Sequence, residues 1–226
     1  MRAEDFFRDS DYWSAWSSVP EATADIGYAL TAVKPDDERI LDVPCGHGRL
    51  LHALTRRAPT AALFGVDVNE STIRLTRADI PTAHVAVGSV YALPFPNQYF
   101  DLVLCHESFM HFDRPPVAIQ ELARVCRQRL YLSVTTRRQL NTLLRRVGLL
   151  GNDATPHWTY NFEDLDALLP QGFRWRILGG FLVGRKALRL SHRTHLWLHR
   201  TLGRAVPQPL LRRFGQSLFI YGSREP

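Results

Sequence analysis

Short apolar runs alternate with helix-like segments along most of the chain. Apolar runs bounded by polar or turn residues are typical of buried strands, whereas apolar residues three or four apart are typical of helices. The predicted strands are 40–42, 61–67, 84–87, one within 99–106, 129–134, 173–178 and 217–221. Strands that alternate with helices wind into one layered sheet. The pattern therefore predicts an α/β, Rossmann-like, doubly wound and mostly parallel seven-stranded sheet with an antiparallel last strand.

Helix-like spacing marks the segments between these strands. A helix is expected from Pro20 to Leu30 and another from Arg49 to about Arg57. A further helix begins near Pro115, because proline suits the first helical turn. Asn161 is a suitable N-cap for a short helix to Leu169.

We expect residues 1–226 to form a single domain with three parts. Residues 1–35 are a helical lid or cap, 36–135 are the ligand-binding core, and 136–226 are a substrate-side half. The last part contains a basic helical insertion at 185–213, with apolar residues on one face and arginines on the other. Two interpretations of this insertion stay open: a packed helix with a solvated arginine stripe, or an element that contacts a membrane surface or covers a hydrophobic substrate.

Charge and composition narrow the class of protein. The net charge is +6, and no Asp or Glu occurs between Ala167 and Arg224. Such a basic region favours an anionic partner, although solvated surface charge explains it equally well. No apolar run is long enough to span a membrane, and the N-terminus does not resemble a secretory signal. Three cysteines without C-x-x-C spacing predict neither a zinc site nor disulfides, so a cytoplasmic location is expected.

The stretch 40–50 combines a strand, a glycine turn and the start of a helix. An apolar run leads into Asp42, Gly46 and Gly48 follow in the turn, and Arg49 begins a helix-like segment. Glycines let a ligand approach the backbone, and a helix N-terminus offers free N–H groups. About twenty residues later, the second strand ends on Asp67, where a carboxylate can accept both ribose hydroxyls of an adenosine.

Two cofactor classes use such a turn. A dinucleotide-binding turn has a third glycine three residues after the second, but Leu51 occupies that position here. The acidic residue before a two-glycine turn, together with the later stretch Leu93-Pro94-Phe95 and Phe100-Asp101-Leu102-Val103, instead resembles the class I S-adenosylmethionine (SAM) dependent methyltransferases. The resemblance is to the small-molecule, type 11 or ubiquinone-biosynthesis group, and it covers about residues 38–135. It implies SAM as the cofactor.

The resemblance also implies the residues that hold SAM. Those for the methionine end are Asp42, Pro44, Cys45, Gly46, Gly48, Arg49 and the backbone carbonyl of His106. Those for the adenosine end are Asp67, Val68, Ser89 and Val90. The chain departs from the family pattern where Pro44 replaces a glycine, where Ser89 replaces an acid, and where Arg127-Gln128 replaces Lys-Pro-Gly-Gly.

Methyl transfer to a hydroxyl group needs a base with a pKa near the working pH, and histidine suits this role. The candidate catalytic residues are His106, His111 and His157. Glu107 and the aromatic residues Tyr12, Trp13 and Trp16 are expected on the substrate side. The spacing His-Glu-x-x-x-His differs from that of zinc proteases, so we expect no metal site.

These observations favour a SAM-dependent enzyme that methylates a small, partly hydrophobic molecule at oxygen. An RNA methyltransferase that uses the basic C-terminal third is an alternative, although nucleic acid is the less favoured partner because no RNA-binding module is recognised. A non-catalytic SAM-binding protein and a nicotinamide oxidoreductase are further alternatives. The oligomeric state is open at this point.

Overall fold

The computed structural model describes residues 3–9, 24–136, 160, 162–181, 206–207, 209–211 and 217–225. The described helices of seven residues or more are α1 (Ala3–Asp9), α2 (Ala24–Leu30), α3 (Arg49–Arg57), α4 (Glu70–Asp79), α5 (Pro115–Val125) and α6 (Phe162–Leu168). The strands are β1 (Arg39–Asp42), β2 (Ala62–Asp67), β3 (His84–Val87), β4 (Phe100–Cys105), β5 (Cys126–Thr135), β6 (Phe173–Phe181) and β7 (Ser217–Arg224). A short 3₁₀ turn, Phe109–His111, follows β4.

The seven strands form one sheet in the order β3-β2-β1-β4-β5-β7-β6. Pairs among β1 to β5 are parallel, whereas β7 runs antiparallel to both of its neighbours, β5 and β6. The predicted seven-stranded, doubly wound sheet with an antiparallel last strand is therefore confirmed. The winding reverses between β1 and β4, and ligands of such sheets bind at the carboxyl ends of the strands at that reversal.

Both faces of the sheet are buried, as parallel sheets require. Leu41 and Val103 point into a core with α5 and α6, whereas Ile40 and Leu102 point into a core with α2, α3 and α4. The strand sequences read as continuous apolar runs for this reason. The tops of β1, β2 and β4 are thus held between two packed layers.

The structure extends some predicted elements and adds one. Strand β5 begins at Cys126 rather than at residue 129, because Arg127 and Gln128 continue the backbone of the strand although their side chains are exposed. Helix α4 is not marked by apolar spacing, because Thr72 and Thr76 take buried positions while Leu75 is exposed. Its sequence signal is the N-cap Asn69, whose side chain accepts from Thr72 N.

Two of the predicted helical segments lie partly or almost wholly outside the residues that the structure describes. The first part of the helix predicted from Pro20 and almost all of the insertion 185–213 lie outside the described residues. Among the described helices, none has the length and the apolar character needed to cross a membrane.

Candidate functional site

The glycine turn between β1 and α3 sits at the point where the winding reverses. Cys45 N donates to Val66 O at 2.9 Å, so the turn is tied to the end of β2. Gly46 and Gly48 have φ values of 50° and 80°, which place both in the left-handed region that favours glycine. Gly48 precedes α3, and no side chain caps that helix. The glycine turn therefore lies beside the end of β2 and at the N-terminus of α3.

Replacing Gly48 with alanine is expected to destabilise the protein by roughly 2–3 kcal/mol. The residue needs a left-handed backbone, and a Cβ would meet the buried Thr76 Cγ2 at 2.6 Å. Thermal unfolding measures the effect. Gly27→Ala is the control, because Gly27 lies exposed in α2 with open space around it, and this change should stabilise by about 0.5–1 kcal/mol. Equal effects of the two changes would contradict this account of the turn.

Asp67 ends β2 directly beside the turn. Its Oδ2 accepts from Gly46 N at 2.8 Å and its Oδ1 accepts from Asn69 N at 2.9 Å. Burial raises the pKa of Asp67, while the hydrogen bonds from the N–H groups of Asn69, Gly46 and Val68 oppose this rise. Each carboxylate oxygen has a second lone pair, so Asp67 can still accept from a ligand.

Asp42 ends β1 and is 1% exposed. Its Oδ2 has no hydrogen-bond partner among the described residues. Burial, and then the nearby Asp67 carboxylate, raise the pKa of Asp42 well above its usual value, while Arg49 acts in the opposite direction. An unpartnered acceptor at the carboxyl end of a central strand suits a ligand that carries hydrogen-bond donors.

Replacing Asp42 with asparagine is expected to raise the stability of the ligand-free protein at pH 7–8, on the order of 1–3 kcal/mol. The folded pKa lies above the unfolded one, so the stabilising protonated form is lost as pH rises from about 4. Unfolding midpoints across pH 4–8 measure this, and the gain should vanish near pH 4. Asp37→Asn is the control of opposite sign, because Asp37 is buried but pairs with Arg129. A lower midpoint for Asp42→Asn at pH 8 would be inconsistent with an uncompensated carboxylate.

A cleft with roughly 480 Å³ of space, partly open to solvent, lies over these strand ends. Its lining residues come from α1, the tops of β1 and β2, the loop after β3 and the segment after β4: Glu4, Phe7, Val43, Pro44, Val66, Asp67, Val68, Gly88, Val90, Tyr91, Ser108, His111 and Phe112. Most of these are apolar, and Asp67 and Glu4 bring carboxylates to the wall.

Helix α1 covers the side of this cleft near Asp67. Asn69 Nδ2 donates to the carbonyls of Phe7 at 2.9 Å and Arg8 at 3.1 Å, so one side chain caps α4 and holds the end of α1. Phe7 is buried, and its ring packs edge-on against His111 with centroids 4.9 Å apart. These contacts make α1 part of the cleft wall. The sequence places α1 more than 60 residues from its partners, so no local pattern could predict the contact.

Tyr91 forms another part of the wall. Its hydroxyl donates to Asp113 Oδ1 at 2.7 Å and accepts from Asp113 N at 3.1 Å. The guanidinium of Arg114 lies over the ring at 4.0 Å. Burial, and then the hydrogen bond to Asp113, raise the pKa of Tyr91. This network fixes the loop after β3 against the start of α5.

A separate charged cluster lies beside the turn, between α2, α3 and the end of β4. Asp25 Oδ2 is 3.2 Å from an Arg49 guanidinium nitrogen and 3.3 Å from His106 Nε2. His106 Nδ1 lies 3.4 Å from the Tyr131 hydroxyl. Glu107 follows with a φ of 53°, and burial, then the Asp25 carboxylate, raise its pKa. The His106 side chain is thus held on both ring nitrogens and does not line the cleft.

The structure brings together part of the predicted site. Pro44, Asp67, Val68, Val90 and His111 line the cleft, and Ser89 contacts the lining residue Glu4. Asp42, Cys45, Gly46, Gly48 and Arg49 lie in the adjoining turn, and His106 and Glu107 lie in or beside the Asp25 cluster. Tyr12, Trp13, Trp16 and His157 lie outside the described residues. The sequence did not indicate Glu4, Phe7, Asp25, Tyr91, Ser108 or Phe112.

Comparisons with known proteins found similarity to methyltransferases. Residues 41–134 match a family model described as a methyltransferase domain. The chain is 35% identical over 118 residues to phthiotriol/phenolphthiotriol dimycocerosates methyltransferase 1 of Mycobacterium ulcerans, covering 50% of this chain and 42% of that protein. It is 36% identical over 115 residues to the fatty-acid O-methyltransferase of Mycolicibacterium smegmatis, covering 49% and 42%. The match thus spans about two fifths of the length of these relatives.

Solved structures share the fold over nearly the whole chain. The magnesium protoporphyrin IX methyltransferase of Synechocystis, solved with bound S-adenosylhomocysteine (SAH), has a TM-score of 0.66 at 17% identity and covers 98% of both chains. This likeness shows the fold, which is the Rossmann-like fold of that solved methyltransferase. Over residues 41–134, less than half of the chain, the sequence is similar to the methyltransferase-domain family.

Proposed function

We propose that this protein binds SAM in the cleft and transfers its methyl group to an oxygen of a small, partly hydrophobic molecule. One observation carries the proposal: the Asp67 carboxylate faces an apolar cleft beside a left-handed glycine turn, at the reversal of the sheet. A carboxylate at this position suits ribose hydroxyls, and the turn suits a ligand that lies against backbone.

Different residues of the site are assigned to the adenosine part and to the methionine part of SAM. Asp67 accepts the ribose hydroxyls, and Val68 and Val90 flank the adenine. Asp42, Cys45, Gly46 and Gly48 surround the methionine end, where the unpartnered Asp42 Oδ2 accepts from a donor of the ligand. When bound, SAM supplies an electrophilic methyl group on a sulfonium. The protein then needs to align the acceptor with that methyl group and to exclude water.

The acceptor side is apolar and aromatic. Phe7, Tyr91 and Phe112 line the cleft together with Ser108 and His111. His111 brings an imidazole to this wall, and we assign it the removal of the acceptor's hydroxyl proton. His106 takes a positioning role instead, because Asp25 and Tyr131 hold its ring. The Mycobacterium ulcerans relative is named for phthiotriol and phenolphthiotriol dimycocerosates and the Mycolicibacterium smegmatis relative for fatty acids, which supports a hydrophobic acceptor.

A methyl-transfer assay tests the acceptor class. The protein is incubated with SAM labelled in its methyl group and, separately, with a free fatty acid, a hydroxylated aromatic lipid and total RNA. We expect label in the lipid-soluble fraction as an ester or ether, and none in RNA. The catalytic control is Asp67→Asn, which should lose transfer at limiting SAM. Label in RNA alone would contradict the proposed acceptor, and label in no fraction would contradict this choice of acceptors.

The basic segment 185–213 adds a proposal that stands on the sequence alone. Its arginine face would contact an anionic membrane surface from which a hydrophobic acceptor is drawn. Flotation with vesicles tests this proposal. Retention on vesicles that contain phosphatidylserine but not on neutral phosphatidylcholine vesicles would support it, and equal absence from both would exclude it.

A further inference from the structure

The carboxylate of Glu4 is the second acidic group in the wall of the cleft. Glu4 lies on α1, and its Oε1 accepts a hydrogen bond from the Ser89 hydroxyl. Among the described residues, no cation pairs with Glu4. The lining of the cleft is mostly apolar and includes Val66, Val68 and Val90. A carboxylate in such a setting favours a ligand that donates hydrogen bonds to it.

The hydrogen bonds of Ser89 and Glu4 determine which of these two side chains can accept from a ligand. The Ser89 hydroxyl accepts from Tyr91 N at 3.1 Å and gives its single proton to Glu4. Ser89 therefore has no proton left for a ligand. Glu4 uses only one of about four acceptor positions of its carboxylate in this bond. The unused acceptor positions at this end of the cleft are thus those of the Glu4 carboxylate, on helix α1, which is far from Ser89 in sequence.

Helix α1 is fixed beside the residues that we propose for the adenosine part of SAM. Asn69, two residues after the Asp67 proposed for the ribose, holds the carbonyls of Phe7 and Arg8. The Val90 N–H, one residue after Ser89, has no hydrogen-bond partner among the described residues. Glu4 thus supplies an acceptor next to a backbone donor. This arrangement matches adenine, whose edge presents an amino donor beside the acceptor N1.

We propose that Glu4 is a specificity-determining residue that reads the amino group of the SAM adenine from the N-terminal helix. This inference rests on the proposed function, because it assigns one part of the same cofactor site. Helix α1 then serves as a lid that recognises the cofactor. A hypoxanthine base presents a carbonyl where adenine presents its amino group and an N1–H where adenine presents an acceptor. Both differences oppose binding next to Glu4 and Val90 N–H.

Calorimetric titration with two ligands tests the inference. Wild-type protein should bind SAH at least roughly tenfold more tightly than S-inosylhomocysteine, its deaminated analogue. Glu4→Gln keeps the shape of the side chain but removes the charge, so SAH affinity should fall roughly 10- to 100-fold and the preference should shrink. Asp5→Asn is the matched control, because Asp5 lies on the same helix, is exposed and pairs with Arg8 at 3.4 Å. It should leave both affinities unchanged.

A double variant separates recognition from a general effect on α1. In Glu4→Ala/Ser89→Asp, a carboxylate returns to the same place from the loop after β3, so SAH preference should recover relative to Glu4→Ala alone. Undiminished preference for SAH in Glu4→Ala would overturn the inference while leaving the proposed function standing. Failure of the wild-type protein to bind SAH would instead overturn the proposed function, so the two failures are distinguishable.

Discussion

Replacing His111 with glutamine is expected to lower the rate of methyl transfer by roughly 10²- to 10⁴-fold, the range typical for loss of a general base. His111 is the histidine that lines the cleft among the described residues, and it is 7% exposed. The 3₁₀ turn after β4 holds it, with His111 N bonded to Ser108 O at 2.9 Å. Glutamine keeps polarity and approximate length but cannot take a proton at neutral pH. Single-turnover transfer to an oxygen acceptor measures the effect.

Two comparisons make the His111 result specific. His84→Gln should have no effect on the rate, because His84 is exposed at the start of β3, at the opposite edge of the sheet. His106→Gln should reduce the rate less than His111→Gln, because His106 sits in the Asp25 cluster. The SAH dissociation constant should stay within about twofold in His111→Gln. A larger loss of rate in His106→Gln than in His111→Gln would move the base to His106.

Replacing Asp67 with asparagine is expected to weaken SAH binding roughly 10- to 100-fold. This is the loss of affinity that is typical when a hydrogen bond to a charged acceptor is removed. The asparagine amide retains only one oxygen, whereas the carboxylate accepts from Gly46 N and Asn69 N and, in our proposal, also from the two ribose hydroxyls. Calorimetric titration with SAH measures the change. The reduction should appear as a lower affinity with a preserved stoichiometry of binding.

Asp101→Asn is the matched control for Asp67→Asn. Asp101 is 1% exposed, compared with 2% for Asp67, and it also accepts backbone N–H bonds, from Glu38 at 2.9 Å and Arg39 at 3.0 Å. It lies near the start of β4, at the edge of the sheet remote from the cleft. Asp101→Asn should lower the unfolding midpoint and leave SAH binding unchanged, whereas Asp67→Asn should weaken SAH binding. Similar loss of SAH affinity in both would indicate a general effect of destabilisation.

The sheet could be predicted because its signal is local. The apolar runs that end on Asp42 and Asp67 fix the strands, and left-handed glycines mark the turn between them. Helix α4 could not be predicted from apolar spacing, because threonines occupy buried positions on its inner face. The start of β5 could not be predicted from an apolar run either, because Arg127 is exposed and pairs with Asp101.

The cleft was only half predictable. Residues at the ends of β1 and β2 are placed by the sheet itself, so their sequence positions already indicate that they lie at or beside the cleft. Glu4, Phe7 and Asp25 come from N-terminal helices whose docking depends on tertiary contacts, such as that of Asn69 with the carbonyl of Phe7. Spacing along the chain carries no record of such contacts. The sequence pattern also could not show that His111 lines the cleft and that His106 does not.

Thermal unfolding with SAH and with NADH, in separate samples, tests the central claim most directly. A ligand at about 1,000 times its dissociation constant stabilises a protein by roughly 4 kcal/mol. For a chain of this size that raises the midpoint by about 2–4 °C per kcal/mol. We predict a clear rise with SAH and none with NADH. A rise with NADH alone, or no rise with either ligand, would contradict the assignment of the cleft to SAM.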